Sequence, residues 1–277
     1  MNENEIDAQA MIEQILASRK YRDSGLNPNT IADLIRQEAP HQTSRKALLK
    51  SVRRKLHNIV APYLGEPDYV ELTERLDTIR DTSLESPELR SFCLDILTEH
   101  ASTAERIPYM DEFYGWLFST VGKPATLMGL ACGLHPLAFP WMGLPLTTRY
   151  HAYDIIQPRI DFINTFFEKI GLAPLAENRD ILVDPPTMPA DLALFFKEAH
   201  RFEKRQPGSN QAFWASLDVH TLAISLPTQN LSGTHNLLDQ HRDLVYANLP
   251  ENKTISELSF ENEIIFLVDH PGKGAHG

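Results

Sequence analysis

Short apolar runs alternate with helix-like segments throughout the second half of the chain. Seven such runs follow residue 120, at 125–131, 149–155, 179–184, 191–196, 221–226, 255–260 and 263–269. Amphipathic segments at 157–170, 198–216 and 234–248 separate several of them, which is typical of parallel strands joined by crossover helices. The last two runs are close enough to form an antiparallel hairpin at the sheet edge. We therefore predict an α/β domain with helices on both faces of the sheet.

The first 120 residues carry helical signals instead. In residues 43–62, Leu49, Val52, Leu56 and Ile59 recur at the spacing of one helix face, and Pro62 ends the pattern. We predict that basic side chains lie mainly on the opposite face of this helix, namely Lys46, Lys50, Arg53, Arg54 and His57. An all-helical region therefore precedes the α/β domain.

Positive charge is concentrated in this helical region. Residues 19–55 contain ten basic and three acidic residues, a net charge of +7 in a chain whose total is −11. A solvated helix face is the ordinary explanation for such a cluster. A basic face on an acidic protein also indicates a defined site for a polyanion such as RNA. The RNA-binding candidates are Lys20, Lys46, Lys50, Arg53, Arg54 and His57.

Composition argues against several other classes of protein. The two cysteines, Cys93 and Cys132, form no CxxC motif, so neither a disulfide framework nor a zinc site is expected, and a reducing cytoplasm fits. No metal is expected, because the histidines show no ligand spacing. The acidic N-terminus does not resemble a secretory signal. Residues 124–148 lack charge but are interrupted by Pro136, Pro140 and Pro145, which favours buried strands and turns over a membrane span.

A glycine turn follows the first predicted strand, at Ala131, Cys132 and Gly133. In open α/β sheets the ligand lies beyond the carboxyl ends of the strands, where a glycine allows close approach of the backbone. The second strand ends near Asp154, about twenty residues on, where an acid can bind ribose hydroxyls. Asp180 in the third run can accept a hydrogen bond from an adenine amino group. The pattern indicates an adenosine-type cofactor, although both acids could be simple strand-end residues.

Several longer strings then resemble a known family. They are HASTAERI (100–107), ACGLHPLA (131–138), YDI (153–155), DLALFFK (191–197), FEKRQPGS (202–209), ISLPT (224–228) and NEIIFLV (262–268). Together with ASRKYRD (17–23), they resemble in order the aminoglycoside-resistance 16S rRNA (guanine-N7) methyltransferases of the Arm/Rmt type. The resemblance covers nearly the whole chain, and the chain resembles a divergent member of this family.

The resemblance implies a two-domain enzyme. A helical domain over 1–105 would dock on the assembled 30S ribosomal subunit, and 106–277 would form a Rossmann-like, seven-stranded domain that uses S-adenosyl-L-methionine. The expected product is 16S rRNA methylated at N7 of guanine 1405, in the numbering of the rRNA, which confers aminoglycoside resistance. The family's mode of docking suggests a monomer, and the expected location is the cytoplasm.

The resemblance also implies roles for individual residues. Arg106 would pair with the methionine carboxylate, Gly133 would approach the cofactor through its backbone, Asp154 would bind the ribose, and Asp180 the adenine edge. The full cofactor-binding set is Ser102, Arg106, Ala131, Gly133, Asp154, Ile155, Asp180 and Ile181. The catalytic set around the reacting base is Lys197, Glu203 and Glu263. Arg106 could instead pair locally on its helix, and Lys197 could merely mark the exit of a strand to solvent.

The chain departs from the family pattern at six positions, one of which is Leu238 in place of a methionine. Gly129 stands where an acid is usual and His135 where Asn is usual, while Gln229, Thr234 and Asn236 replace cations expected to face RNA. Each lost phosphate contact lowers affinity for RNA. An alternative function is therefore a ribosome-binding protein with a methyltransferase fold whose activity is lost or retargeted.

Overall fold

The computed structural model describes residues 3–60, 67–99, 101–229, 235–249, 253–260 and 262–269. For residues 3–7, 101 and 102 it describes the backbone only. It contains helices and one mixed sheet. The helices are α1 (Glu3–Leu16), α2 (Pro28–Glu38), α3 (Arg45–Val60), α4 (Tyr69–Thr78), α5 (Pro87–Glu99), α6 (Ala101–Ala104), α7 (Met110–Val121), α8 (Gln157–Ile170), α9 (Ala199–Arg205), α10 (Ser209–Ser216) and α11 (Leu238–Asn248). Across these ranges, no helix combines the length and apolar character that crossing a membrane requires.

Helices α1 to α3 share a core of their own. Met11, Ile15, Ile31, Val52 and Leu56 are buried in it. The apolar spacing of α3 places its buried side chains on one face, as the sequence predicts. The first three helices therefore form a separately packed unit, and the α4 to α7 segment packs on the sheet instead.

The sheet has seven strands in the order β3-β2-β1-β4-β5-β7-β6. The strands are β1 (Thr126–Leu130), β2 (Arg149–Asp154), β3 (Ala176–Asn178), β4 (Ala190–Phe196), β5 (Val219–Pro227), β6 (Thr254–Ser259) and β7 (Glu263–Asp269). Strands β1 to β5 are parallel, while β7 is antiparallel to both β5 and β6. The predicted fold class and the terminal hairpin are confirmed.

Both faces of the sheet are buried because successive strand residues point in opposite directions. On one face, Leu127 of β1 and Leu192 of β4 pack with α4, α5, α7 and α8. On the other, Met128 and Ala193 pack with α9, α10 and α11. The carboxyl ends of β1 to β4 remain available for a site at one edge of this sandwich.

Two sequence-based boundaries are wrong. The third strand is not 179–184 but the three residues before it, and 179–184 is a turn in which Asp180 accepts hydrogen bonds from Leu182 N at 3.2 Å and Val183 N at 2.9 Å. The segment 198–216 is two helices rather than one, because Pro207 lacks an N–H group and Gly208 adopts φ +77°. The other six predicted strands lie within two residues of the observed bounds.

The N-terminal helices join the sheet through a short backbone junction, residues 25–27 against residues 155–157. Asn27 N donates to Ile155 O at 2.8 Å, and Gln157 N donates to Gly25 O at 2.9 Å. Gly25 has φ +59°, and a Cβ atom there would lie 2.4 Å from Cδ of Pro158. Only glycine allows this close approach, which holds the N-terminal helices at the carboxyl end of β2.

Truncation of the N-terminal core tests its contribution to stability. We expect Leu56→Ala to lower the free energy of unfolding by about 2–5 kcal/mol, because Leu56 is 0% exposed and the change leaves a cavity. Leu146→Ala removes the same atoms at a residue that is 44% exposed, and we expect a loss of at most about 0.5 kcal/mol. Urea unfolding measures both, and equal losses would contradict the assigned core.

Candidate active site

A cavity of about 920 Å³, here the large cavity, lies between the carboxyl ends of β1 to β3 and the N-terminal helices. Small-molecule sites in proteins typically measure about 300 to 1,000 Å³. The sheet side is lined by Ala131, Asp154, Ile155, Asp180 and Ile181. The helical side is lined by residues that include Lys20, Tyr21, Leu34, Arg54 and Ile59. The structure therefore brings together five predicted cofactor-binding residues in one cavity.

The turn after β1 is held in a left-handed conformation. Ala131 and Gly133 have φ values of +49° and +53°. Cys132 N donates to Tyr153 O at 2.9 Å, and Gly133 N donates to Oδ2 of Asp154 at 2.9 Å. A non-glycine residue such as Ala131 seldom adopts this conformation outside special sites. The turn is thus tied to the end of β2, as a ligand-binding turn at the switch point requires.

Asp154 connects this turn to α8. Its Oδ1 atom accepts hydrogen bonds from Ile155 N at 2.7 Å and from Arg159 at 2.8 Å. Asp154 is 6% exposed and Arg159 is 1% exposed. Charge-assisted hydrogen bonds to backbone N–H groups and to a guanidinium hold a carboxylate in one orientation.

Asp180 lies two residues after β3 and is also buried. Its Oδ2 atom accepts hydrogen bonds from Thr30 Oγ1 at 2.6 Å and from Arg205 at 2.8 Å. Arg205 in turn donates to Asp33 at 2.9 Å. The acid predicted for the adenine edge is therefore connected both to α2 and to α9.

A second, small cavity of about 30 Å³ lies around the turn on the side of β4. Its lining includes Thr103, Arg106, Gly129, Gly133, His135 and Lys197. Three predicted cofactor-binding residues, Arg106, Ala131 and Gly133, meet here. The side chain of Ser102, another such prediction, lies outside the described residues.

Arg106 forms a buried ion pair with Glu263, the first residue of β7. Its Nε donates to Oε2 of Glu263 at 3.0 Å, and a second short bond runs from its NH2 group to Oε1. The guanidinium carbon lies 4.3 and 4.4 Å from the ring centres of Phe113 and Phe196. The sequence predicted a ligand carboxylate for Arg106, whereas the structure gives it a carboxylate of the protein.

Each partner of this pair maintains the charge of the other. Burial alone lowers the pKa of a guanidinium, but the Glu263 carboxylate reverses that effect and raises the pKa of Arg106. Burial raises the pKa of a carboxyl, but Arg106 and then Lys197 reverse it, so that the pKa of Glu263 is lowered. Both groups are therefore ionised although Arg106 is 3% exposed and Glu263 0% exposed.

Gly129 and His135, two of the departures from the family pattern, both contact Tyr150. A Cβ atom at Gly129 would lie 3.1 Å from Cε2 and 3.2 Å from the hydroxyl of Tyr150. Hydrogen bonds join His135 Nδ1 to that hydroxyl at 3.2 Å and His135 Nε2 to the Tyr114 hydroxyl at 2.6 Å. Burial, and next Arg106, lower the pKa of His135. An uncharged hydrogen-bonded chain therefore occupies the space beside Gly129.

Lys197 follows β4 with φ +60°, a conformation that non-glycine residues rarely adopt. Its Nζ donates to Glu105 at 2.5 Å, and it is 5% exposed. It does not point to solvent, so the simpler expectation for Lys197 is wrong. Its charge also acts on Glu263. The structure thus brings two predicted catalytic residues, Lys197 and Glu263, to the same region.

Glu203, the third residue of the predicted catalytic set, is not brought to that region. Its carboxylate accepts hydrogen bonds from Gly208 N at 2.6 Å and from Nδ2 of Asn210 at 3.1 Å. It lines neither the large nor the small cavity. Those two bonds connect α9 to the start of α10, which is a local structural contact.

The predicted RNA-binding side chains are all exposed and form what is here called the cationic face. It comprises Lys20, Lys46, Lys50, Arg53, Arg54 and His57. A hydrogen bond of 2.6 Å joins Lys20 Nζ to His57 Nδ1, which brings the segment after α1 against α3. Lys20 and Arg54 also line the large cavity. Of the lost cations, Gln229 pairs with Asn236 in a β-bridge, and Thr234 lies outside the described residues.

Several residues of the site escape sequence reasoning. Asp180, His135 and Lys197 have partners from other parts of the chain. The partners are Thr30 and Arg205 for Asp180, Tyr114 and Tyr150 for His135, and Glu105 for Lys197. No local motif or periodicity marks them, because their roles arise only from folding. No group of three or more His, Cys, Asp or Glu side chains within the described part of the chain could hold a metal ion.

Replacement of His135 by Asn tests whether His135 is neutral between the two tyrosine hydroxyls, through the pH dependence of protein stability. We expect His135→Asn to lower the free energy of unfolding at pH 7.5 by about 1–3 kcal/mol, because two buried tyrosine hydroxyls lose a partner. The lowered pKa of His135 means that its stabilising contribution is present above the ordinary histidine pKa of 6.5 and is lost as the pH falls below it. The gap between wild type and variant should therefore narrow from pH 7.5 to pH 5 in urea unfolding. A constant gap would contradict a buried neutral His135.

Comparisons with known proteins place the chain in a family. A profile of the family "Ribosomal RNA methyltransferase (FmrO)" matches residues 17–256. A 16S rRNA (guanine(1405)-N(7))-methyltransferase of Micromonospora rosea is 31% identical over 264 residues, 92% of this chain and 93% of that protein. The solved 16S rRNA methylase RmtB has a TM-score of 0.78 at 28% identity, over 95% of this chain and 98% of that chain. The solved structure of 16S rRNA methyltransferase RmtF in complex with S-adenosyl-L-homocysteine has a TM-score of 0.79 at 25% identity, over 98% of this chain and 99% of that chain. The chain therefore belongs to the FmrO family of ribosomal RNA methyltransferases.

Proposed function

We propose that this protein transfers a methyl group from S-adenosyl-L-methionine to N7 of guanine 1405 in 16S rRNA. The observation that carries the proposal is the large cavity, in which Ala131 and two buried acids lie opposite helices that bear the cationic face. Methylation in the decoding site confers aminoglycoside resistance, and a ribosomal target supports a cytoplasmic location for the enzyme.

The residues of the large cavity fit the adenosine part of the cofactor. A carboxylate is an acceptor for ribose hydroxyls and for an adenine amino group, and Asp154 and Asp180 supply one at the ends of two neighbouring strands. Ile155 and Ile181 add apolar surface. We assign Asp154 to the ribose and Asp180 with Ile181 to adenine. The left-handed turn at Gly133 supports close approach of its backbone.

The small cavity is assigned to the methionine end. When bound, S-adenosyl-L-methionine supplies a methyl group on a positively charged sulfur. Arg106 and Lys197 line this cavity, each with an acidic partner, so the region is electrically balanced before a ligand enters. We assign Lys197 and Glu263 to the surroundings of the reacting base, where they maintain the shape and charge of the pocket.

Methyl transfer to guanine N7 requires the protein mainly to align the reacting groups. Guanine N7 has a free lone pair in the neutral base, so no side chain has to remove a proton. Alignment of reacting groups can contribute on the order of 7–11 kcal/mol. The base must also leave its stack at a cost of a few kcal/mol, which contacts with the rest of the RNA have to offset.

We assign those contacts to the cationic face on the N-terminal helices. The separate core of α1 to α3 supports the view that this unit docks on the assembled 30S subunit. In this assignment residues 1–105 contain the docking region, residues 106–277 contain the methyltransferase domain, and the protein acts as a monomer. Two side chains of the cationic face, Lys20 and Arg54, also line the large cavity, which supports a continuous path from RNA to cofactor.

One observation favours a second candidate, a protein that docks on the subunit without methylating it. Arg106 is already neutralised by Glu263, and the cavity beside it is only about 30 Å³. A site that cannot open at this end would bind RNA but leave the methionine part of the cofactor without space. Salt-sensitive binding of 30S subunits with no turnover would identify this candidate.

Methylation of intact 30S subunits tests the first candidate. With methyl-labelled S-adenosyl-L-methionine, we expect one labelled base, mapped by reductive cleavage and primer extension to guanine 1405. Asp154→Asn should reduce cofactor affinity at least about tenfold, because a buried ionic hydrogen bond that holds the turn is lost. Asp161→Asn changes an exposed acid of α8 and should leave affinity unchanged. Labelling at another base would instead indicate a retargeted enzyme.

The salt dependence of subunit binding tests the cationic face. We expect Lys50→Gln to reduce the slope of log K against log salt concentration by about 0.7 to 0.9, because one phosphate contact is lost. Lys123→Gln removes an exposed cation just before β1, at the opposite edge of the sheet from the large cavity, and should leave the slope unchanged. Equal slopes for all three proteins would mean that the cationic face is only solvated.

A further inference from the structure

A buried network joins the N-terminal helices to the wall of the large cavity. Arg205, the last residue of α9, donates to Asp180 at 2.8 Å and to Asp33 of α2 at 2.9 Å. Thr30, also in α2, donates to the same oxygen of Asp180 at 2.6 Å. Thr30 is 0% exposed and Asp180 3% exposed. Two helices and the turn after β3 therefore share one set of hydrogen bonds.

This network determines how the Asp180 carboxylate is oriented. A carboxylate has about four acceptor positions on its two oxygens. A single nitrogen of Arg205, Nη1, lies 3.0 Å from Oδ1 and 2.8 Å from Oδ2 of Asp180. Leu182 N donates to Oδ1 at 3.2 Å and Thr30 Oγ1 donates to Oδ2 at 2.6 Å, so these three donors leave an acceptor position for a ligand. Without Thr30 and Arg205, the backbone of Leu182 alone would hold a nearly buried charge. Side chains outside the sheet thus fix the acid at the cavity wall.

The same helix that holds Asp180 also lines the cavity. Leu34 lies one turn after Thr30 on α2, and its side chain is part of the lining of the large cavity. Arg205 lines the cavity as well. A displacement of α2 would therefore alter the cavity in two ways, through its own apolar side chain and through the acid that it holds. Binding in the cavity and packing of α2 on the sheet domain are linked for this reason.

We propose that Thr30 and Arg205 are positioning residues for the cofactor. They hold Asp180 in its binding orientation, and through them cofactor binding and the packing of α1 to α3 on the sheet domain stabilise each other. Such coupling is reciprocal, so each process strengthens the other by the same factor. The inference rests on the proposed function, because it takes the adenine part of the cofactor to lie at Asp180.

Isothermal titration calorimetry with S-adenosyl-L-homocysteine and the full chain tests the proposal. Thr30→Val keeps the shape of the side chain and removes the hydroxyl, and we expect binding to weaken about tenfold. Thr30→Ser keeps the hydroxyl and should bind within about twofold of wild type. The matched control is Thr148→Val, a buried threonine that donates to Pro124 O at 3.4 Å and lines neither cavity. It should bind like wild type.

Hydrogen exchange at the junction supplies a readout that a merely structural role would not change. The Asn27 amide donates to Ile155 O across the junction, so its protection reports the packing of α2 on the sheet domain. In wild type, S-adenosyl-L-homocysteine should increase this protection. In Thr30→Val, the ligand-induced increase in protection of the Asn27 amide should be smaller than in wild type, by the same factor by which binding of S-adenosyl-L-homocysteine is weakened. Arg205→Met should show the larger effect of the two if it folds, and Thr30→Val decides the matter if it does not.

The outcomes separate this inference from the function on which it rests. Weaker binding by Thr30→Val, with rescue by Thr30→Ser and a reduced ligand effect at Asn27, supports it. Unchanged or tighter binding by Thr30→Val, or an equal loss in Thr30→Ser, overturns it while the proposed function stands. Failure of the wild-type protein to bind S-adenosyl-L-homocysteine would overturn both.

Discussion

The arrangement of the site depends on one buried carboxylate, that of Asp154. A carboxylate that is nearly excluded from water requires several hydrogen-bond donors, and here they are Gly133, Ile155 and Arg159. Those donors belong to the turn after β1, the end of β2 and the first turn of α8. The junction begins at the next residue, where the carbonyl of Ile155 accepts from Asn27. The turn, the crossover helix and the N-terminal helices therefore take their places around a single charge.

The opposite end of the site is governed by charge balance. Two cations and two anions lie there in two buried or partly buried pairs, Arg106 with Glu263 and Lys197 with Glu105. A further acid at position 129 would leave an unmatched negative charge, which is costly in a buried site. The glycine at that position, and the neutral histidine beside Tyr150, are consistent with a pocket whose charges are already matched.

The sequence alone was sufficient for the sheet and for the residues next to strand ends. Periodicity predicted six of the seven strands, and the spacing from Gly133 to Asp154 selected two residues for one site. The structure joins these two residues by a hydrogen bond. Periodicity misplaced the third strand because the apolar residues after Asp180 form a turn. That turn is stabilised by the Asp180 side chain, which accepts a hydrogen bond from the backbone N–H of Leu182. Glu203 lies outside both cavities because its hydrogen-bond partners lie in the break after α9 and at the start of α10. The partners of Asp180 could not be found, since they are set by the packing of α2 against α9.

The separate core of α1 to α3 has a consequence for how such enzymes can diverge. Side chains on the outward side of α3 can change without disturbing the packing on the sheet, because the apolar core of α1 to α3 is distinct from the sheet cores apart from Ile155 and Ile156, which pack in the helical core. A chain of this design can therefore alter the surface that meets RNA while its methyl-transfer chemistry is conserved. What such variation must retain is the narrow contact at Gly25, where any larger residue would separate the two units.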